Sequence, residues 1–297
     1  MKFVPKILFL ILFIVSLAFQ ACNSSEDPVT TEVRDYAEQA LTDDQLLREY
    51  LQTHTFNYED FDDPQEVASI TIDTLDETNS NKRSLDEMAL QIDVPVLNQD
   101  SVMINHTLYY LIARQGIRVD HKPSIVDSTY LNYSGKLLDG TEFDASSQPV
   151  WFDAARVITG FRYGLQFFAP GTYTLNDNGT VSYQDYGQGL IFIPSGLGYF
   201  NSVVSSIPTY SPLIFDVSVL TTNQSDHDGD GVLSVNEDPD GDGNPYNDDT
   251  DDDGVLNLYD TDDDDDGVLT KNEYDLNQDG IPDDDDGDGI PNYLDND

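Results

Sequence analysis

Apolar positions along this chain follow several different rhythms. Residues 7–18 form one unbroken apolar run, Ile7 to Ala18. Further on, Leu46, Leu47, Tyr50 and Leu51 share one helical face. Thr42-Asp-Asp-Gln45 precedes them with capping-box form, so the spacing predicts a helix over 42–54. Ile70 and Ile72 alternate with Thr71 and Asp73, which suits a short strand. From His106 the text turns β-rich: Leu108-Tyr-Tyr-Leu-Ile112, Tyr130–Tyr133, Lys136–Leu138, 189–194 and 212–220 read as strands, with a turn at Asp139-Gly140. One helix is predicted among them, over 157–168, because Ile158, Phe161, Leu165 and Phe168 recur at helical spacing and Ala169-Pro-Gly171 stops it. Within Tyr173–Gln188, Asn176-Asp-Asn-Gly179 reads as a hairpin tip. Many antiparallel strands and one short helix predict an α+β domain whose sheet folds over that helix.

Charge changes the picture after residue 222. The chain of 297 residues carries a net charge of -44, and residues 222–297 hold 28 Asp and Glu against one Lys. Such an imbalance excludes nucleic acid as a partner and favours cations. Six segments there share an Asp-x-[Asp/Asn]-x-Asp-Gly core. They supply Asp226, Asp228 and Asp230; Asp238, Asp240 and Asp242; Asp249, Asp251 and Asp253; Asp262, Asp264 and Asp266; Asp275, Asn277 and Asp279; and Asp284, Asp286 and Asp288. The twelfth position is Glu237 and Glu273 in two of them, and Asp249, Asp260, Asp286 and Asp295 in the others. Alternating carboxylates can converge on one hard cation while glycine permits the sharp turn, so all of these are candidate calcium ligands. The core glycines lie 9 to 13 residues apart, too close for paired helix–loop–helix units. The segment resembles thrombospondin type 3 repeats. That resemblance implies a string of loops whose order depends on calcium, against the plainer reading of a disordered acidic tail.

The N-terminus carries an address. Lys2 and Lys6 precede the apolar run, which is short for a membrane span, and Ala21-Cys22 follows, as in a secretory signal. Cys22 is the only cysteine, so no disulfide forms within the chain. Its setting resembles a bacterial lipobox, which implies lipid on Cys22 and a membrane anchor. Ser24-Ser-Glu-Asp27 resembles the export signals of surface lipoproteins of Bacteroidetes-like bacteria. The expected divisions are a signal peptide at 1–21, a tether and helical segment at 22–104, a domain at 105–221 and the acidic repeats at 222–297.

The domain itself holds an ordered set of aromatic and aliphatic residues with one acid among them. It reads Tyr133-Ser-Gly135, Phe143-Asp144, Val157-Ile158-Thr-Gly160-Phe161, Leu197-Gly198-Tyr199, Ile207-Pro208 and Phe215-Asp216-Val217. This set resembles the FKBP-type peptidyl-prolyl cis–trans isomerases over about one third of the chain. The resemblance implies a curved antiparallel sheet wrapped on a short helix. It also implies a cofactor-free pocket for proline-containing polypeptides, walled by Tyr133, Phe143, Val157, Ile158, Phe161, Tyr199 and Phe215. Asp144 would sit beside the substrate carbonyl, the Tyr199 hydroxyl and the Ile158 N–H would donate to substrate, and Ile207 would lie at the mouth. Two positions depart from the family: Phe161 stands where Trp is usual, and Val150 where Phe is frequent, with Trp151 at hand to fill the space. A shallower pocket of lower activity would follow.

His54, His106, His121 and His227 form no cluster with Cys22, which argues against zinc chemistry. The reading is a lipid-anchored isomerase at the bacterial outer membrane or cell surface, assisting exported proteins and carrying a calcium-stabilised tail. The alternatives are a catalytically weak proline-peptide binding module and a calcium-dependent surface adhesion protein.

Overall fold

The first helix starts earlier than its capping-box text predicts. In the computed structural model, which describes residues 33–63 and 68–296, α1 spans Tyr36–Thr53. Asp35 is its N-cap and accepts from the Glu38 N–H at 2.9 Å. Thr42 lies inside the helix, where its hydroxyl donates to the Glu38 carbonyl, so the predicted start at 42 is corrected to 36. Leu47 and Leu51 are fully buried on the inner face, while Leu41 and Leu46 are exposed. The chain then pairs β1 (His54–Phe56) with β2 (Ile72–Thr74), and Ile70, expected in this strand, lies just before it. The segment read as a secretory signal and Cys22 lie outside the described residues. Among the described residues, no helix is long and apolar enough to cross a membrane.

Seven antiparallel strands build the main sheet. They are β3 (Leu90–Leu97), β4 (Met103–Arg114), β5 (Ser128–Leu137), β6 (Glu142–Ala145), β7 (Val150–Asp153), and, after the hairpin of β8 (Thr172–Leu175) and β9 (Val181–Gln184), β10 (Gly187–Ile193) and β11 (Leu213–Asn223). The order is β3-β4-β10-β11-β5-β6, with β7 pairing β5. β3 was not expected. It is an edge strand in which Leu90, Ile92, Val94 and Val96 alternate with Gln91, Asp93 and Pro95; Val94 is buried, Ile92 and Val96 pack against the core, and the strand brings the sheet upstream of residue 105. Tyr130–Tyr133 and Lys136–Leu137 belong to one strand, with Ser134-Gly135 inside it. The turn falls at Gly140, whose φ is +84°. The predicted hairpin tip is present, with Gly179 donating to the Asn176 carbonyl.

Strand alternation divides the central strands between two cores. Leu108 and Tyr110 of β4, Ile191 and Ile193 of β10, and Phe215 and Val217 of β11 face the helix α2 (Thr159–Leu165). Tyr109 and Leu111, Leu190 and Phe192, and Ile214 face α1 on the other side. Both faces are covered, which explains why these strands read as continuous apolar runs. α2 is shorter than the predicted 157–168, because Ile158 is an extended N-cap and the helix ends at Leu165. Phe168, predicted on the helical face, is fully buried beyond its end. α2 lies close on β10: a Cβ on Gly160 would collide with Ile193, and one on Gly164 would sit 2.5 Å from Ile191 Cγ2.

α1 also fixes a loop on the far side of the sheet. Asp43 is fully buried and accepts from the Ser195 N–H at 2.8 Å, the Ser195 hydroxyl at 2.6 Å and Gln39 Nε2 at 2.7 Å. The turn so held, Ser195–Leu197, leads directly to Tyr199. Residues from Arg34 onward cluster as one unit.

Asp216 gives a test of this packing. It lies on the Ile214 face of β11, and burial pushes its carboxyl up to about 6, with Lys136 offsetting a little. A folded-state pKa above the unfolded value means the native state holds the proton more tightly. The favourable contribution is complete at low pH and is lost as pH rises from about 4 through about 6. Denaturant titrations are expected to show stability declining across that window. Asp216→Asn should flatten the decline and add roughly 2 kcal/mol at pH 7.

Candidate active site

Between the sheet and α2 opens a cavity of about 680 Å³. Phe161 forms its floor and is 2% exposed. Phe215 leans on Phe161 at 4.8 Å between ring centroids, and Phe152 meets it edge-on at 5.6 Å and 78°. Phe143 meets Phe215 edge-on at 5.6 Å and 81°, and Tyr133 closes the ring set 6.4 Å from Phe161. Edge-to-face contacts of this kind add stabilisation beyond simple area burial and fix the ring orientations. Gly135 on β5 makes room for them, since a Cβ there would lie 2.6 Å from the Phe143 ring. Val157, Ile158, Tyr199 and Ile207 complete the wall, so one hollow gathers all nine residues read from the sequence, Asp144 included.

The polar groups sit at one side of this apolar hollow. The Tyr133 hydroxyl donates to Asp144 Oδ2 at 2.7 Å. Burial, then the Asp144 bond and charge, push the Tyr133 phenol up to about 12. Burial and the Asp144 charge also raise the Tyr199 phenol. Both hydroxyls therefore remain protonated donors at neutral pH. Ile158 has extended backbone at the start of α2, and its carbonyl accepts from the Phe161 and Arg162 N–H groups. At the mouth, a tight loop joins Val204 and Ile207 by mutual backbone bonds.

Sequence reasoning missed Phe152, Arg156, Val204 and Ser205, which also line the hollow. It also offered Trp151 to fill the space left by Val150. Trp151 does not fill the space near Val150. It is 53% exposed and packs on Tyr130 outside, while Val150 is 37% exposed at the rim. Phe152 is the ring that turns inward. Strand alternation held the clue, because adjacent Trp151 and Phe152 cannot both face Phe161.

In the tail the repeats fold into successive loops. Carboxylate oxygens converge within 4.8 Å in five groups: Asp228, Asp230, Glu237 and Asp263; Asp238, Asp240 and Asp242; Asp249, Asp251 and Asp253; Asp262, Asp264 and Asp266; and Asp284, Asp286 and Asp288. Burial and the charges of Asp264, Asp266 and Asp262 push Glu273 up to about 7, so it faces the fourth group. Asp226 is not in the first group and accepts instead from the Gly229 and Gly231 amides. Asp275 likewise accepts from Asp279 and Gly280, Asn277 accepts from Asp279, and the Asp279 carboxylate accepts from Ile281. Asp260 accepts from Asp262. Asp295 lies with Asp266, Glu273 and Asp286 around a small hollow. Asp248 and Asp263 were not foreseen. Asp248 is buried and pushed up to about 6, by burial first and then by Asp240 and Asp238. Both occupy positions that the loop template leaves unspecified. An all-oxygen donor set of this kind suits a hard divalent cation.

Comparison with known proteins bears on the pocket and not on the tail. Residues 120–220 match the family model described as FKBP-type peptidyl-prolyl cis-trans isomerase. The FKBP-type peptidyl-prolyl cis-trans isomerase FkpA of Aeromonas hydrophila is 31% identical over 128 residues, 42% of this chain and 41% of that protein. FkpA of Escherichia coli strain K12 is 34% identical over 101 residues, 33% of this chain and 32% of that protein. The crystal structure of FkpA from Escherichia coli aligns at 28% identity with a TM-score of 0.32, over 43% of this chain and 51% of that chain. The chain spans less than half the length of these curated relatives.

Phe161→Ala removes the floor and its three ring contacts. Denaturant unfolding is expected to show a loss of about 3–5 kcal/mol. A loss below about 1 kcal/mol would mean that the aromatic set does not hold the domain together.

Proposed function

We propose that this protein isomerises X–Pro bonds in exported polypeptides at a bacterial envelope. In this reading it is held there by lipid on Cys22 and carries a calcium-stabilised tail. The observation that carries the reading is the enclosure of Asp144, Tyr133 and Tyr199 with an apolar floor in one hollow. Rotation about a prolyl amide crosses a barrier near ~18–20 kcal/mol, because it breaks amide resonance. A catalyst need only hold the twisted amide better than the planar one. The twisted form has less charge separation, so an apolar hollow disfavours the planar state, and donors held in place stabilise the twisted one. Tyr199 is the natural donor to a substrate carbonyl. Tyr133 holds Asp144 beside it, and Phe161 supports the proline ring. No nucleophile, metal or cofactor takes part in this step.

Proline-containing polypeptides are the substrates in this reading. Calcium loops at Asp226–Glu237 and the five repeats after it would act as an ordered spacer from the membrane, with affinities of about 10⁻⁴–10⁻³ M usual for extracellular modules. A second reading, a proline-peptide receptor with little catalysis, is favoured by one feature: the Phe161 floor is smaller than the usual Trp.

An isomerisation assay on a short proline peptide separates the two. The purified protein is expected to accelerate cis-to-trans conversion in proportion to its concentration. Tyr199→Phe should lower kcat/KM about 3–10-fold, the worth of one hydrogen bond. Peptide binding without acceleration would establish the receptor instead.

A further inference from the structure

We propose that a divalent cation held by Asp228, Asp230, Glu237 and Asp263 locks the acidic tail onto the isomerase domain and thereby steadies the pocket wall at Arg156–Ile158. The proposal rests on the isomerase reading above and adds regulation by the tail to it.

The cation site differs from the other loops in two respects. Its ligands come from two separate repeats, Asp263 being distant in sequence from the other three. It is also buried: Glu237 is 0% exposed, Asp263 2% and Asp230 3%. Neither oxygen of Glu237 and neither oxygen of Asp263 has a hydrogen-bond partner, and the same holds for one oxygen each of Asp228 and Asp230. Four carboxylates so placed, with oxygens within 4.8 Å of one another, repel one another strongly. Lys271, the only Lys or Arg of the segment, is exposed. A hard divalent ion satisfies all of these oxygens at once. The groups at Asp238–Asp242, Asp249–Asp253 and Asp284–Asp288 are largely solvent-facing and drawn from single loops, so they lack this cross-link.

The first loop of the tail also touches the pocket's supports. His227 sits between Asp226 and Asp228. Its Nε2 lies 3.2 Å from Asp153 Oδ1, and its Nδ1 lies 2.8 Å from the Ser234 hydroxyl. Asp153 accepts from the Ala155 N–H and pairs with Arg156 Nε at 3.2 Å. The turn it caps, Ala154–Arg156, runs straight into Val157 and Ile158 of the wall. A second contact reinforces the first: Tyr246 donates to the Ile125 carbonyl and lies under the Arg162 guanidinium at 4.2 Å, next to Phe161 in sequence. Loss of the cation lets the loops spread, and spreading withdraws His227 from Asp153.

The test compares the purified protein with and without calcium chloride, by hydrogen exchange and by proline-peptide isomerisation. Calcium is expected to slow exchange in residues 153–162 by about tenfold or more. It is also expected to raise kcat/KM about two- to fivefold, a modest coupling. Asp263→Asn should lose both responses. Asp252→Asn removes one exposed tail charge outside every group and should keep both. His227→Ala should still bind calcium, by calorimetry, yet lose the exchange response at 153–162. Unchanged exchange in that segment on adding calcium overturns the proposal, as does a normal response from Asp263→Asn. If no form of the protein isomerises the peptide, the isomerase reading fails, and the exchange data alone decide whether the tail is locked by the cation.

Discussion

The close approach of α2 to β10 is the constraint on which the rest depends. Gly160 and Gly164 leave no side chain between the helix and Ile191 and Ile193. The helix therefore sits deep enough for Phe161 to reach Phe215 and Phe152 across the sheet. A larger residue at either glycine would lift the helix, and the rings would part. The hollow is thus a consequence of backbone proximity first and of aromatic chemistry second. The polar edge follows from the same geometry, because β5 carries both Tyr133 and Gly135, and Gly135 lets Phe143 and Asp144 fold back over the strand.

α1 supplies a second, independent support. Its buried Asp43 accepts two hydrogen bonds from Ser195 and fixes the turn that carries Tyr199. This helix lies outside the residues that match the family model, yet it sets the position of a group central to the proposed chemistry. Removing one partner from a buried bonded pair leaves the other unsatisfied, so this contact ties the N-terminal segment to the pocket more strongly than its small area suggests. The acidic tail meets the opposite side of the pocket through His227 and Tyr246.

Much of the site was legible because its residues follow a fixed order along the chain. The nine residues read from the sequence line one hollow, the hairpin tip at Asn176–Gly179 is present, and β4, β5, β10 and β11 cover the predicted runs, whereas β3, β6 and β7 went unread. The misses have physical causes. β3 does alternate from Leu90 to Val96, but Pro95 inside the run argues against a strand, and only its edge position in the sheet tolerates it. The start of α1 is set by Asp35, and a second capping-like text at Thr42 masked it. The choice between Trp151 and Phe152 depended on which face of β7 meets Phe161, which composition does not reveal. Asp248 escaped because it stands at an unspecified position within its own loop, and Asp263 because the fold brings it together with acids of another repeat.

The central claim is that the hollow takes a prolyl ring and eases rotation of its amide. Two-dimensional exchange NMR on a short proline peptide, with the protein present in small amount, reads that event directly. The account predicts cis–trans cross-peaks that grow with protein concentration, and at peptide saturation ring shifts at Tyr133, Phe161 and Phe215. Interconversion that stays at the uncatalysed tens-to-hundreds-of-seconds scale, roughly as for the free peptide, with those rings unmoved, would contradict it.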